Sequence, residues 1–147
     1  MKFTLIIDNT KDEEVVATVH GPSDLTRKLE ALVTRYAGTD RLAAYREDET
    51  RLLAPEDIAC ITVLDGKTHA ICSDGEQYRL KQRLYELESL LPASFIRINK
   101  STLANEHRIL RFDAAFSGGV DAVFQCGYRE YVSRRCFAEI RRRYERA

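Results

Sequence analysis

The chain has 147 residues, 44% of them hydrophobic, which suits one globular domain with a modest extension. Its uncharged runs are too short to cross a bilayer and its first residues lack a signal-peptide pattern, so we expect a cytoplasmic protein. The four cysteines form no C-x-x-C pair and no histidine lies at zinc-ligand spacing, so we expect reduced, mostly buried thiols, no metal and no cofactor.

Charge is unevenly distributed along the chain. The totals are 23 basic and 23 acidic residues, yet residues 1–66 carry 8 basic and 13 acidic side chains, whereas residues 97–147 carry 11 and 6. A polyanionic partner would therefore meet the C-terminal end. The alternative is that these arginines only solvate a helix face, and composition does not separate the two.

The N-terminal third predicts a strand and a helix. The run KFTLIID has the pattern of a strand, and a second short apolar run, VVATVH, follows it. After Pro22 and Ser23, apolar residues line one helical face and Gly38 is placed to end the helix; they are Leu25, Leu29, Leu32, Val33 and Tyr36. We assign residues 1–43 to a strand-helix extension and residues 44–147 to the main domain.

The middle of the chain predicts an antiparallel meander. Four short runs, LAAYRE, IACITVL, KTHAIC and EQYRL, are separated by Pro55 and by the hairpin dipeptides Asp65-Gly66 and Asp74-Gly75. An amphipathic helix, LKQRLYELESLLP, then ends at Pro92, and its apolar stripe is formed by Leu80, Leu84, Leu87 and Leu91. Its stripe covers only three turns, so we interpret it as core and not as a dimerisation seam.

Further strands and a helix are predicted in the last third. The strand-like runs are FIRINKS, RILRFDAAF, VDAVFQ and YREYV, and turns are expected at residues 117–119 and 126–127. The segment SRRCFAEIRRRYERA predicts a C-terminal helix. The pattern as a whole indicates an α+β protein that is mainly antiparallel.

An enzyme is not indicated. His20, His69 and His107 are widely spaced and lie in no catalytic phrase, and Ser133 is not flanked as a nucleophile elbow requires. A nucleophilic cysteine at position 126 or 136 stays open because basic residues lie nearby, although the position of Cys136 on the final helix favours a buried thiol. We therefore predict no catalytic residues and no small-molecule substrate.

Two arginines at the start of the final helix suggest an anionic ligand. Ser133 is a natural N-cap, which places Arg134 and Arg135 in the first helical turn. Cations are unfavourable at that end, whereas a phosphate there would be bound by the free N–H groups and the guanidinium groups together. Arginine also matches the guanine edge in the major groove. Two merely solvated arginines remain the alternative.

A second polar phrase, FIRINKSTLANEHRI, is predicted to join two strands through a loop. Its polar side chains are Arg97, Lys100, Asn105, His107 and Arg108. Asparagine can pair with adenine through two hydrogen bonds, and lysine or serine can hold a phosphate, so one loop could supply both base readout and positioning.

These two phrases together resemble the LytTR DNA-binding domain. Phe95, Arg97, Lys100, Ser101 and Asn105 fit the pattern of that family, and its closing Ser-x-Arg corresponds to Ser133 and Arg135. The resemblance covers roughly residues 44–147. It implies an elongated, mainly antiparallel β sandwich that contacts successive major grooves through loops.

The resemblance also implies site residues and partners. The base-contacting positions of the family fall on the loop after Asp65-Gly66 and on Asn105 and Arg135. In that loop this chain has Lys67, for which we expect contact with a phosphate more than with a base. The full predicted DNA-binding set is Lys67, Arg97, Lys100, Ser101, Asn105, Ser133, Arg134 and Arg135. We expect double-stranded DNA as ligand, a homodimer on two half-sites, and regulation of transcription.

Multidomain relatives are response regulators with a receiver domain of about 120 residues, which does not fit this chain. The chain resembles the standalone type instead, some members of which are restrained by small membrane proteins, so such an inhibitor is a further candidate partner. The alternative function is a protein–protein interaction module without base readout, in which the acidic N-terminal part docks on another chain.

Overall fold

The computed structural model describes residues 1–37, 40–115 and 118–145. The predicted helix stop at Gly38 and the Ser117 part of the predicted turn lie outside the described residues. The chain divides into two compact units, residues 1–33 and residues 34–147. The predicted boundary after residue 43 stays a prediction.

The first unit contains part of a helix preceded by irregular chain. Helix α1 spans Asp24–Ala37, in agreement with the apolar periodicity. Ser23 precedes it, and its backbone N–H donates to Thr26 Oγ1 at 2.9 Å. The predicted strand at residues 2–8 is not formed in the structure. A strand needs a neighbour for its N–H and C=O groups, and no described strand pairs with this segment.

After the end of α1, the second unit contains ten strands, two α-helices and two short 3-10 helices within its described residues. The strands are β1 (Leu42–Arg46), β2 (Glu49–Leu53), β3 (Ile58–Leu64), β4 (Lys67–Cys72), β5 (Gln77–Arg79), β6 (Phe95–Asn99), β7 (Thr102–Asn105), β8 (Ile109–Ala114), β9 (Val120–Phe124) and β10 (Arg129–Val132). The helices are α2 (Leu84–Leu90) and α3 (Arg134–Tyr144). Strands β1 to β7 form one sheet in the order β2-β1-β5-β4-β3-β7-β6, and β8 to β10 form a second.

The larger sheet has a hydrophobic cluster on each face. One cluster joins the sheet to α2 and includes Leu84, Leu87 and Leu91. The other joins it to the three-stranded sheet and α3, and includes Phe124 and Ile140. The predicted α+β class and the mainly antiparallel architecture are confirmed. None of the helices within the described residues is both long and apolar enough to span a membrane.

The boundaries of α2 and β2 differ from those expected. The four leucines of the predicted stripe are all buried. Helix α2 nevertheless begins only at Leu84, because Leu80 N donates to Thr68 O at 2.9 Å and so stays beside β4. Strand β2 was not predicted because its sequence, ETRLL, has too few apolar residues to resemble a strand. It lies at the edge of the sheet, where three of its five residues are exposed.

Candidate nucleic-acid interface

Three segments that the sequence marked as DNA-contacting are linked by hydrogen bonds. They are the hairpin turn between β3 and β4, the turn between β6 and β7, and the start of α3, and we call them together the turn surface (residues 65–67, 100–101 and 133–135). Val63 N donates to Ser101 O at 3.0 Å, which ties the end of β3 to the β6–β7 turn. Ser133 N donates to Ile98 O at 2.8 Å, which ties the start of α3 to β6.

The side chain of Asn99 strengthens this connection. Its Oδ1 accepts from Ser101 N at 2.8 Å, and its Nδ2 donates to Tyr131 O at 2.6 Å. Nδ2 also lies 3.3 Å from Glu130 Oε1, and Glu130 in turn accepts from the hydroxyl of Tyr128 at 2.8 Å. Burial and this hydrogen bond raise the pKa of Tyr128, so its phenol stays protonated as a donor. One amide therefore fixes the β6–β7 turn relative to the segment that leads into α3.

Arg97 supports the β6–β7 turn from inside. Its Nη2 and Nε donate to the carboxylate of Glu88 at 2.9 and 3.2 Å, and its Nη1 donates to Lys100 O at 2.8 Å. This guanidinium thus directs its hydrogen bonds into the protein. The Lys100 side chain is exposed, while that of Ser101 is partly buried. The predicted DNA contacts of Arg97 and Lys100 stay predictions; of the two, only the Lys100 side chain has no partner among the described residues.

The start of α3 has the arrangement that the sequence predicted. Ser133 is the N-cap, and its hydroxyl accepts from Cys136 N at 3.2 Å. Arg134 and Arg135 occupy the first turn, and both are exposed. Neither forms an ion pair or side-chain hydrogen bond with a residue that the structure describes. The helix dipole and two uncompensated guanidinium groups consequently share one end of the helix.

Most other basic side chains near the C-terminus are already engaged. Of the ten described basic residues between positions 97 and 145, six form hydrogen bonds or ion pairs within the protein; they are Arg97, Arg108, Arg111, Arg129, Arg141 and Arg143. The remaining four, which have no such partner among the described residues, are Lys100, Arg134, Arg135 and Arg142. Three of these four lie on the turn surface, so the positive charge available to a ligand is concentrated there.

Asn105, predicted to read adenine, is buried in the structure, and its contact with a base stays a prediction. Asn105 ends β7 and is 2% exposed. Its Nδ2 donates to Ile58 O at 3.0 Å and lies 3.4 Å from Pro55 O, and its Oδ1 accepts from His107 N at 3.1 Å. In the chain without DNA the amide of Asn105 is therefore enclosed and engaged by main-chain groups. It connects β7 to the segment that enters β3.

The β3–β4 hairpin presents Lys67 at the rim of the turn surface. Asp65 and Gly66 have φ of 51° and 73°, which is the left-handed backbone that a two-residue hairpin turn requires. Lys67 is exposed at the start of β4. His69, two residues on, lies 3.2 Å through Nδ1 from the side-chain amide of Gln77. Burial and, to a smaller extent, the positive charge of Arg79 lower the pKa of His69, so its imidazole is neutral at pH 7.

Two residues of this region were missed at the sequence level. Asn99 was passed over because an asparagine within an apolar strand has no distinctive pattern, and only the fold brings Tyr131 O to its amide. Tyr131 itself is exposed on β10, just before Ser133. A tyrosine hydroxyl beside a basic turn can donate to phosphate oxygen. The position of Tyr131 after the turn at residues 126–127 is the one sequence signal that points to it.

Comparison with known proteins identifies relatives of this chain. A family model described as the LytTr DNA-binding domain matches residues 48–145. An uncharacterized HTH-type transcriptional regulator of Staphylococcus aureus strain MSSA476 is 30% identical over 146 residues, which is 97% of both chains. A similarly named protein of strain NCTC 8325 is 29% identical with the same coverage.

A solved structure has the same fold. It is the LytTr DNA-binding domain of a methyl-accepting/DNA response regulator from Bacillus cereus, and it superposes with a TM-score of 0.64 at 23% identity. The match covers 71% of this chain and 96% of that one. The Staphylococcus aureus relatives therefore share nearly the full length of this chain, whereas the solved domain corresponds to a part of it.

Proposed function

The chain belongs to the LytTR family of DNA-binding domains, and on that premise we propose that it regulates transcription by binding duplex DNA through the turn surface. The observation that carries the proposal is the group of exposed basic side chains, Lys100, Arg134 and Arg135, that no described residue neutralises. The interaction module considered as an alternative is not favoured by relatives named as transcriptional regulators.

Each side chain has a separate role in the proposed complex. Arg135 reads a guanine edge through its two-pronged guanidinium. Arg134, Lys100 and Lys67 contact phosphates, and the N–H groups at the start of α3 bind a phosphate beside them. Ser133 holds the helix start through its cap. Base contacts supply discrimination between sequences, and phosphate contacts supply affinity for any duplex.

The basic surface of one copy is small because short turns form it, and this favours the binding of two copies to two half-sites. Three or four phosphate contacts from one copy give weak binding at physiological salt, because each contributes a slope of only about 0.9 to the dependence of log K on log salt. A pair of copies doubles the contacts and lets the half-site spacing add specificity. A small membrane protein that restrains the regulator remains a further proposed partner.

The test begins with selection of bound duplexes from a random pool, followed by fluorescence anisotropy on the selected site and on scrambled DNA. We expect Arg135→Ala to remove roughly 1–3 kcal/mol of discrimination between the two. Arg134→Ala and Lys100→Ala should lower the affinity for both duplexes alike, and each should reduce the slope of log K against log salt by about 1.

Arg142→Ala is the matched control for these variants. Arg142 is an exposed arginine of the same helix, two turns beyond Arg135 and without a described partner, so its removal changes net charge equally. We expect this variant to keep its discrimination between sequences. Equal affinity of the parent chain for selected and scrambled DNA, unaltered by Arg135→Ala, would refute direct readout.

A further inference from the structure

The N-terminal unit exposes an unusual amount of apolar surface. Its exposed large apolar residues, apart from Met1, are Phe3, Leu5, Ile6, Ile7, Val15, Val16, Val19, Leu25, Leu32 and Val33. Phe3 is 88% and Ile7 89% exposed. Isolated exposed apolar residues are ordinary on protein surfaces, but ten within 33 residues expose an unfavourably large apolar area to water.

The exposed residues follow the pattern of two strands and a helix. Phe3, Leu5 and Ile7 alternate along the first run, and Val15 and Val19 lie four apart on the second. The two runs are separated by a turn in which Asp8 Oδ1 accepts from Thr10 N at 2.9 Å, and by the acidic residues that follow. Within residues 1–23, all of which the structure describes, no strand is formed, so the main-chain groups of both runs have no ladder partner there.

We propose that residues 1–33 are a dimerisation segment, in which the apolar runs and α1 of one chain pack against the same segment of a second copy. Pairing of the first runs would give their main-chain groups the ladder that they lack, and would cover the apolar side chains of both chains. A two-fold axis allows one segment to serve both partners, because the same patch then faces itself.

The available area is close to that of a standard dimer. At on the order of 100 Å² per side chain, weighted by exposure, the ten residues offer roughly 700 Å² per chain. A standard specific interface buries about 800 Å² per partner, so the apolar residues alone nearly reach that size. The polar residues between them would supply the rest.

Charge favours a second copy over a strongly charged partner. Residues 1–33 carry four basic and six acidic side chains, a net charge of −2, so the repulsion between two identical segments is small. The family model begins only at residue 48, yet the Staphylococcus aureus relatives align over 97% of both chains and so have a segment of this length. That segment therefore accompanies the DNA-binding domain in these relatives.

This inference deepens the proposed function, since a pair of chains suits two half-sites, but its test needs no DNA. Sedimentation equilibrium of the full chain at micromolar concentration is expected to give the mass of two chains. The variant Leu5→Asp/Ile7→Asp should give the mass of one, with a dimer dissociation constant raised by at least roughly 100-fold, and Leu32→Asp should act in the same direction.

Leu110→Asp is the control, since Leu110 on β8 is 58% exposed, close to the 64% of Leu32. It should leave the dimer intact. A monomeric parent chain would overturn the inference and favour a different partner for the segment. A dimer that survives the N-terminal variants would overturn it too, and so would a dimer that is lost with Leu110→Asp.

Hydrogen exchange gives a second measurement that does not depend on a variant folding well. In the parent chain, amides of residues 2–8 should be protected at high protein concentration and exchange at least 10-fold faster on dilution below the dissociation constant. Fast exchange at every concentration would overturn strand pairing. If the parent chain dimerises but binds no duplex, the proposed function fails while this inference stands.

Discussion

Replacing Asn105 with alanine separates a structural role from a DNA-reading role. The substitution removes the hydrogen bond from Nδ2 to Ile58 O, the longer contact from Nδ2 to Pro55 O, and the bond that Oδ1 accepts from His107 N. Each such bond contributes about 1 kcal/mol net, and each buried carbonyl left without its donor costs about 1–3 kcal/mol. We expect the free energy of unfolding to fall by roughly 2–4 kcal/mol.

Urea denaturation followed by circular dichroism measures this loss. The midpoint should decrease while the m value stays unchanged, because the same surface is exposed on unfolding. Where the variant is folded, its affinity for the selected duplex should stay within about twofold of the parent value, a difference of roughly 0.4 kcal/mol. Asn9→Ala, at an exposed turn, is the control and should change stability by less than about 0.5 kcal/mol.

The opposite result would refute the reasoning. If Asn105→Ala unfolds at the same urea concentration as the parent chain but no longer distinguishes adenine from other bases at one position, the side chain reaches DNA. Its buried hydrogen bonds would then have to open in the complex.

Two more predictions concern Asn99 and the thiols. Asn99→Ala should lower the affinity for selected and scrambled duplexes alike by about 10-fold, as measured by anisotropy, because the β6–β7 turn and the start of α3 lose their shared amide. Unchanged affinity would contradict this positioning role. Burial raises the pKa of Cys72 to about 11, so at pH 8 it should react with iodoacetamide far more slowly than the partly exposed Cys126. Equal labelling rates, read by peptide mass spectrometry, would contradict that burial.

Features governed by neighbouring residues could be predicted from the sequence. The Asp65-Gly66 turn needs only two residues that tolerate positive φ, and the cap of α3 needs only a hydroxyl at Ser133. Helix α3, most strands and the apolar character of the leucine stripe follow from periodicity in the same way. These local preferences also placed Arg134 and Arg135 at the start of a helix.

The burial of Asn105 was not foreseen, because it depends on tertiary contacts. The residues KSTLAN are polar enough to resemble a loop, and a loop asparagine would be free to contact DNA. In the structure only Lys100 and Ser101 form the turn, and β7 follows at once between β3 and β6. Burial between two neighbouring strands engages the amide of Asn105 within the protein, and its base contact stays a prediction.

What the sequence determined by itself was the family resemblance, the local elements and the excess of positive charge near the C-terminus. Only the tertiary structure decided which of those charges are available, because ion pairs such as Arg97 with Glu88 and Arg129 with Asp113 join residues from different elements. It also decided that residues 2–8 lack a partner strand within the described chain. The physical reason is the same in each case: pairing depends on which distant groups the fold brings within hydrogen-bonding distance, and no local pattern encodes that.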